Sequence, residues 1–274
     1  MARQFSSTLS RLASLRVIDT SRLSALPERA HLRRLLAYLD VDCVFDVGAN
    51  VGQYATMLRR NAKYHGRIVS FEPIPDAARE VRRKCAKDNN WTIEEIALSE
   101  TSGQQTFNIM AGSEFSSLSQ PRTDEVGLFD QLNAPVKTIS VETQSLDEAF
   151  TRLQQQYGFR RPFLKMDTQG CDLSVLRGAG SCIQQFVGFQ SELSIKRIYQ
   201  NASDFRDALT FYQGLGFELS AFVPNNGGHF PALIEIDCIL VRRDLLPTSL
   251  QPARQVETLT DALADTGHRL AAHT

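Results

Sequence analysis

Residues 41–52 read VDCVFDVGANVG, and this stretch decides the fold. Residues 41–47 form a short run rich in apolar and β-branched side chains, which is typical of a buried strand, and Gly48 ends it. A helical pattern starts at about Gln53, so the stretch predicts a strand, a tight turn and a helix. Gly48 and Gly52 let the backbone turn sharply and approach a ligand closely. The start of the helix offers unpaired N–H groups, so a ligand site is expected at this turn.

After this turn, short apolar strands alternate with helices, and one further helix precedes it. Further strands are predicted at 67–72, around 92–97, and at 136–143, 163–167 and 186–192, with helices at 32–39, 53–60, 76–88, 145–156, 172–179 and 204–215. Such alternation is typical of parallel βαβ units. An extra strand is expected at 104–109, and residues 112–130 are interpreted as a mobile loop.

The last two predicted strands, 217–223 and 233–242, are joined by residues 224–231 without a helical segment. Without a crossover helix they should be antiparallel neighbours. The prediction is therefore an α/β fold with a doubly wound, mostly parallel sheet and an antiparallel terminal strand pair. One domain, 32–245, is expected between a lead-in at 1–31 and a polar, weakly helical tail at 246–274.

The lead-in has two interpretations. It carries Arg3, Arg11 and Arg16, several Ser and Thr residues, and no acid before Asp19. This composition is typical of a mitochondrial targeting segment. Leucines spaced along the lead-in instead predict a short amphipathic helix, and we favour this interpretation.

Composition limits the classes of function. The chain has 30 Lys and Arg against 31 Asp and Glu, a net charge of −1, so it lacks the basic excess of a nucleic-acid-binding protein. Its five cysteines are scattered without a C-x-x-C pair, which argues against a disulfide framework or a zinc site and favours the cytoplasm. No apolar stretch approaches the length of a membrane span. No metal site is predicted, and nothing in the sequence indicates an oligomeric state.

The acid before the first glycine, Asp46, indicates the kind of ligand. A carboxylate there would repel a pyrophosphate but suits an ammonium group. A zwitterionic amino-acid tail satisfies both ends of the turn, with its carboxylate at the helix N-terminus and its ammonium at Asp46. S-adenosylmethionine has such a tail, and its sulfonium adds positive charge. The alternative is a purely structural glycine turn.

Glu72 follows some twenty residues later, at the end of the second predicted strand. In a doubly wound sheet this position lies next to the first turn, where an acid accepts hydrogen bonds from ribose hydroxyls. The alternative is a surface acid at a strand end. Together, the turn and Glu72 predict an adenosyl-cofactor site.

Three further residues are candidates for chemistry. Asp167 ends the strand FLKMD, where alternation puts it on the same face as Lys165. Glu192 ends the next strand, and each acid could contact the cofactor, contact the acceptor, act as a general base or cap a helix. His229, in the loop between the last two strands, is either a base near the acceptor or a solvated loop histidine.

The segments DVGANVGQYA, IVSFEP, ALSETSG, SSLS, FLKMDTQGCDLSVLRGA, SELSI and DCILVRR occur in an order that resembles the FkbM-type methyltransferases, over about Leu32 to Arg243. The resemblance implies the class I methyltransferase (Rossmann-like) fold, S-adenosylmethionine as methyl donor, and usually O-methylation of a secondary metabolite or a sugar. It assigns cofactor binding to Gly48, Asn50 and Gly52, to Glu72 as the ribose acid, and to Ala97 at the start of ALSETSG.

The chain departs from the family pattern at one place. Gln169 and Cys171 stand where many members read D-x-E-G-x-E, although a subgroup also has Gln at the first of these positions. The departure argues against a base or a metal ligand at residue 169.

The sequence thus predicts a cytoplasmic S-adenosylmethionine-dependent O-methyltransferase with a small-molecule or saccharide acceptor. An NAD(P)-dependent oxidoreductase also needs a glycine turn and a ribose acid, but Asp46 and the antiparallel strand pair argue against it. A non-catalytic, methyltransferase-like binding protein is the third alternative.

Overall fold

The computed structural model of the chain describes residues 26–224 and 231–250. Ten strands occur in these residues: β1 (Cys43–Val47), β2 (Arg67–Phe71), β3 (Trp91–Glu94), β4 (Ala97–Ser99), β5 (Gly103–Met110), β6 (Pro135–Ser145), β7 (Pro162–Met166), β8 (Gly188–Ser194), β9 (Phe217–Pro224) and β10 (Glu235–Arg242). The α-helices are α1 (Leu26–Tyr38), α2 (Gln53–Met57), α3 (Pro75–Cys85), α4 (Leu146–Tyr157), α5 (Asp172–Arg177) and α6 (Phe205–Gly214).

Seven strands form the main sheet in the order β3-β2-β1-β7-β8-β10-β9. The pairs from β3 to β8 are parallel, whereas β10 is antiparallel to both β8 and β9. The predicted doubly wound sheet with an antiparallel terminal pair is confirmed. Strand order reverses at β1, so the turn after β1 and the residues after β7 meet at the switch point where ligands bind.

Helices cover both faces of the main sheet. Phe45 of β1 is completely buried on one face, within a cluster that includes side chains of α4, α5 and α6. The opposite face packs against α1, α2 and α3 through Leu32, Ala55 and Val81. Strands buried on both faces are apolar along most of their length, which is why β1 and β7 were predictable although they contain Asp46 and Lys165.

A second sheet has three strands in the order β4-β6-β5. It contains the extra strand predicted at 104–109, which is observed as β5, antiparallel to β6. The prediction of one strand around 92–97 was wrong, because β3 ends at Glu94 and β4 joins the other sheet. Glu94 and Glu95 pair at the surface with Arg152 and Arg82, and the chain bends there before Ala97 becomes buried.

Several element boundaries differ from the prediction. Helix α1 begins at Leu26 rather than Leu32, and α2 ends at Met57 and continues as a π-helical turn, Leu58–Ala62. Residues 112–130 are more structured than the predicted mobile loop, since they contain a 3-10 turn, Ser113–Phe115, and a buried Ser117 that bridges to β5. Most of the predicted lead-in and tail lies outside the described residues. Within the described ranges, no helix has the length and apolar character needed to cross a membrane.

Candidate active site

A cleft of about 710 Å³ opens at the carboxyl edge of the main sheet, beside the switch point between β1 and β7. This volume is within the range of small-molecule and cofactor sites. The cleft brings together most of the residues predicted from the sequence, namely Gly48, Asn50, Glu72, Ala97, Asp167 and Glu192. It is the candidate active site.

The turn after β1 is packed so tightly that only glycine fits at residue 48. Gly48 has a φ of 73°, and a Cβ placed there would lie 2.0 Å from the carbonyl oxygen of Asp167. The N–H groups of Gly48 and Ala49 both donate to the carbonyl oxygen of Phe71, at 3.1 and 3.0 Å. Gly52 does not line the cleft; its missing Cβ makes room for the Trp91 ring. The two glycines therefore let the turn pack closely against the residue after β7 and against Trp91.

Glu72 ties this turn to the end of β2. Its Oε2 accepts a hydrogen bond from the Asn50 N–H at 2.7 Å, and its Oε1 accepts one from the Ile74 N–H at 2.9 Å. Only 4% of Glu72 is exposed, and it lines the cleft. Burial raises its pKa to about 7, against the two backbone hydrogen bonds, which lower it. Each carboxylate oxygen still has a lone pair for a ligand hydroxyl.

Asp46 lies beneath the cleft wall rather than on it, although the sequence argument gave it a direct ligand contact. It is completely buried, its Oδ2 accepts a hydrogen bond from the Ser70 hydroxyl at 3.1 Å, and its Oδ1 lies 3.4 Å from the Lys165 ammonium. The physical reason is the register of the sheet, which sets Asp46 directly beside Lys165 on the adjacent strand. The charge of Asp46 is therefore matched within the protein.

Lys165 connects Asp46 with the cleft. Its ammonium lies 3.5 Å from Asp167 Oδ2 and donates to the carbonyl oxygen of Gly48 at 3.2 Å. Burial lowers the pKa of Lys165, but the carboxylates of Asp167 and Asp46 outweigh burial and raise the pKa above its ordinary value. Lys165 is thus held as a cation, and the predicted sharing of one face by Lys165 and Asp167 is confirmed.

Gln169 joins the two acids that the sequence singled out. Its Nε2 donates to Asp167 Oδ1 at 2.7 Å and to Glu192 Oε2 at 3.1 Å. Its Oε1 accepts a hydrogen bond from the hydroxyl of the buried Tyr199 at 2.7 Å, which fixes the orientation of the amide. Sequence reasoning treated Gln169 only as a departure from the family pattern. In the structure it is the donor that orients both carboxylates.

The helix-capping alternative does not describe Asp167. The residue before α5 makes no side-chain cap, and it is Asp172 that accepts hydrogen bonds from the Thr168 N–H and hydroxyl, at 3.0 and 2.6 Å. The Asp167 side chain is 43% exposed and lines the cleft. It is therefore free to meet a ligand on its open side.

The far end of the cleft contains polar residues that sequence reasoning missed. The amide of Gln190 accepts a hydrogen bond from the Tyr54 hydroxyl at 3.0 Å and donates to Glu28 at 2.9 Å. Glu235 and Asp237 of β10 line the same region. Two acids at alternating positions of an otherwise apolar strand, IEIDCILV, were the available signal.

His229 lies outside the described residues. Within the part of the chain that the structure describes, no group of three or more His, Cys, Asp or Glu side chains is arranged to hold a metal ion.

The sequence matches the family model of the methyltransferase FkbM domain over residues 46–219, which is more than half of the chain. The chain belongs to this family. It is therefore a methyltransferase, and S-adenosylmethionine is its cofactor. The fold of this methyltransferase is of the class I type that the sequence predicted. No curated protein sequence matches the chain.

Solved structures of three methyltransferases are similar in fold. Magnesium protoporphyrin IX methyltransferase from Synechocystis PCC 6803, with bound SAM, is 10% identical, with a TM-score of 0.40 and coverage of 85% of this chain and 88% of that chain. The O-methyltransferase from Bacillus cereus in complex with SAH is 11% identical, with a TM-score of 0.40 and coverage of 85% and 87%. Precorrin-6y C5,15-methyltransferase from Geobacter metallireducens is 13% identical, with a TM-score of 0.39 and coverage of 78% and 86%.

Proposed function

We propose that this methyltransferase transfers the methyl group of S-adenosylmethionine to a hydroxyl oxygen of a small molecule or a saccharide. The observation that carries the proposal is the placement of Asp167. This carboxylate stands at the switch point, open to the cleft on one side and held on the other by Lys165 and Gln169.

The residues present fit the cofactor. Gly48 and Asn50 line the cleft, so the backbone of the tight turn is available to the amino-acid tail. Glu72 has free lone pairs for the ribose hydroxyls, and Ala97 lines the same wall. Asp46 contributes to this site through Lys165, since it has no surface on the cleft.

When bound, the cofactor supplies an electrophilic methyl group on a sulfonium. The protein has to align an acceptor oxygen with that group, and positioning of this kind accounts for roughly 7–11 kcal/mol of the barrier. Asp167 accepts the hydroxyl proton or orients the hydroxyl, while the Lys165 cation and the Gln169 amide stabilise its negative charge. A general base contributes about 10²–10⁴-fold in rate. Glu192 is the second acid within reach of the acceptor.

We also propose a small molecule rather than a nucleic acid as acceptor, in the cytoplasm. Among the described residues that line the cleft, acids outnumber the two cations, Arg29 and Lys165, so a phosphate backbone would be repelled there. The five cysteines are all free thiols, as expected in a reducing compartment.

The substitution Asp167→Asn tests the proposal, because it removes the charge and keeps the shape. Turnover should fall by about 10²-fold or more, on the scale of acid–base contributions. The affinity for S-adenosylhomocysteine should change little, since Gly48 and Glu72 remain.

The matched control is Asp76→Asn, whose carboxylate is exposed on α3 and pairs with Arg79. It should leave both turnover and cofactor affinity unchanged. Turnover by the Asp167→Asn enzyme at the level of this control would exclude the proposed role.

A further inference from the structure

The amino-acid tail of the cofactor carries a carboxylate, and most N–H groups of the glycine turn are already used within the protein. The N–H groups of Gly48 and Ala49 donate to the carbonyl oxygen of Phe71. The N–H of Asn50 donates to the Glu72 carboxylate. Carbonyl oxygens of the turn suit the ammonium group of the tail, because each has a second lone pair. The start of α2 offers the partial charge of a helix end, so a cation elsewhere in the cleft is the stronger match for the carboxylate.

Two cations line the cleft among the residues that the structure describes, and they differ in their partners. The Lys165 ammonium lies 3.4 Å from Asp46 and 3.5 Å from Asp167, so its charge is matched within the protein. Arg29 is half-buried, and its Nε is buried without a hydrogen-bond partner. Its guanidinium forms no ion pair with any residue in the described ranges. A buried N–H without an acceptor is unfavourable, and a bound anion removes that cost.

Helix α1 holds Arg29 on the side that packs against the segment after the turn. Leu32 and Leu36 lie three and seven residues after Arg29, on the same face of the helix. Both are buried in the cluster that contains Ala55 of α2 and Leu58 of the π-helical turn. Arg29 is therefore placed between the body of α1 and the start of α2, at the edge of the cleft.

Hydrogen bonds fix this end of α1 beside α2. Glu28, the residue before Arg29, accepts a hydrogen bond from the Gln190 amide at 2.9 Å. The oxygen of the same amide accepts one from the Tyr54 hydroxyl at 3.0 Å. Tyr54 is the second residue of α2, the helix that follows the glycine turn, and it lines the same cleft as Arg29. The unmatched cation of the cleft is therefore held on the helix next to the turn.

We propose that the Arg29 guanidinium binds the carboxylate of the amino-acid tail of S-adenosylmethionine. The proposal rests on the assignment of this cleft to the cofactor in the proposed function. A guanidinium presents paired N–H donors that match the two oxygens of a carboxylate. Arg29 therefore distinguishes ligands with a complete tail from ligands that lack the carboxylate.

The test compares S-adenosylhomocysteine with its decarboxylated analogue, which keeps the ammonium group and lacks the carboxylate. Calorimetry measures both affinities for the full chain without an acceptor, so an acidic acceptor cannot cause a difference. The wild-type protein should bind S-adenosylhomocysteine about ten-fold or more tightly than the analogue, the range for a hydrogen bond to a charged group. Arg29→Gln should weaken S-adenosylhomocysteine by about the same factor and should weaken the analogue by less than about two-fold.

Arg33→Gln, on the exposed side of α1, is the matched control and should change neither affinity. Arg29→Lys keeps the charge but loses the paired donors, so its affinity for S-adenosylhomocysteine should lie between those of the wild type and Arg29→Gln.

Equal weakening of both ligands by Arg29→Gln would mean that Arg29 only supports the fold and would overturn the proposal. An unchanged affinity for S-adenosylhomocysteine would overturn it as well, because the carboxylate would then bind elsewhere. The wild-type affinity is measured first. Its absence in a folded protein contradicts the proposed function and is not confused with failure at Arg29.

Discussion

At the scale of a single residue, Glu72 has a structural role, and we propose that it also binds the cofactor. Its carboxylate accepts hydrogen bonds from the backbone N–H groups of Asn50 and Ile74 and also faces the cleft. Sequence spacing predicted the acid at the strand end. It could not predict the two backbone contacts, because they depend on how the turn folds back over β2.

The affinity for S-adenosylhomocysteine should depend on pH through Glu72. Burial raises the pKa of Glu72 to about 7 in the protein without ligand, so this carboxyl group is largely protonated at pH 6. Ribose hydroxyls donate to the ionised form, so binding must release this proton. Calorimetry at pH 6, 7 and 8 should show affinity rising with pH, by up to about ten-fold per unit below the pKa. The dependence should disappear in Glu72→Gln, and equal wild-type affinity at pH 6 and pH 8 would count against the assignment.

Gln169 should act as a positioning residue for Asp167 and Glu192. Gln169→Glu replaces the shared donor with a third acid. Repulsion between the like charges should raise the pKa values of the three acids and shift the acid limb of the pH–rate profile to higher pH. Turnover should fall at neutral pH with little change in cofactor affinity. The control is Gln104→Glu, an exposed residue on β5. A pH–rate profile that matches this control would mean that Gln169 has no part in turnover.

Alternation along a strand predicted which residues share a face, and this is why Lys165 and Asp167 were placed correctly. The position of Asp46 was beyond such reasoning, since it depends on the pairing of β1 with β7. The role of Gln169 was equally hidden, because it needs Tyr199 from a distant segment to orient the amide.

At the scale of elements, the turn between β1 and α2 is the most constrained feature. Gly48→Ala would force a Cβ against the Asp167 carbonyl oxygen in a left-handed backbone conformation. We expect a loss of more than about 2 kcal/mol in the free energy of unfolding, measured by urea denaturation.

Gly214→Ala is the matched control, because this glycine ends α6 with open space around it and no left-handed backbone. It should be neutral, or stabilising by up to about 1 kcal/mol. Similar urea midpoints for the two variants would show that the turn is looser than the structure indicates.

Elements were predicted well where burial imposes a pattern and less well where it does not. The buried strands β1, β2 and β7 are mostly apolar runs with clear ends. The start of α1 was missed although Pro27 and Glu28 are typical of a first helical turn. The division between β3 and β4 has no local signal, because the transfer to the second sheet is decided by tertiary pairing.

For the whole molecule, the overall charge conceals a strong local asymmetry. The chain carries a net charge of −1, yet acids outnumber cations on the cleft wall. Composition alone showed that the chain has no basic excess, but it could not locate the acids. Their concentration at one edge follows from the sheet topology, which brings the ends of β1, β2, β7 and β8 and the start of β10 together. A cationic cofactor is the ligand that this arrangement favours.

The most direct test of the account is the thermal unfolding of the full chain with S-adenosylhomocysteine, and separately with NAD. At 100 times its Kd, S-adenosylhomocysteine should stabilise the folded protein by about 2.7 kcal/mol and raise its melting temperature. NAD at the same concentration should have no effect. A folded protein whose melting temperature is unchanged by saturating S-adenosylhomocysteine, or is raised equally by NAD, would contradict the assignment of this cleft to the methyl donor.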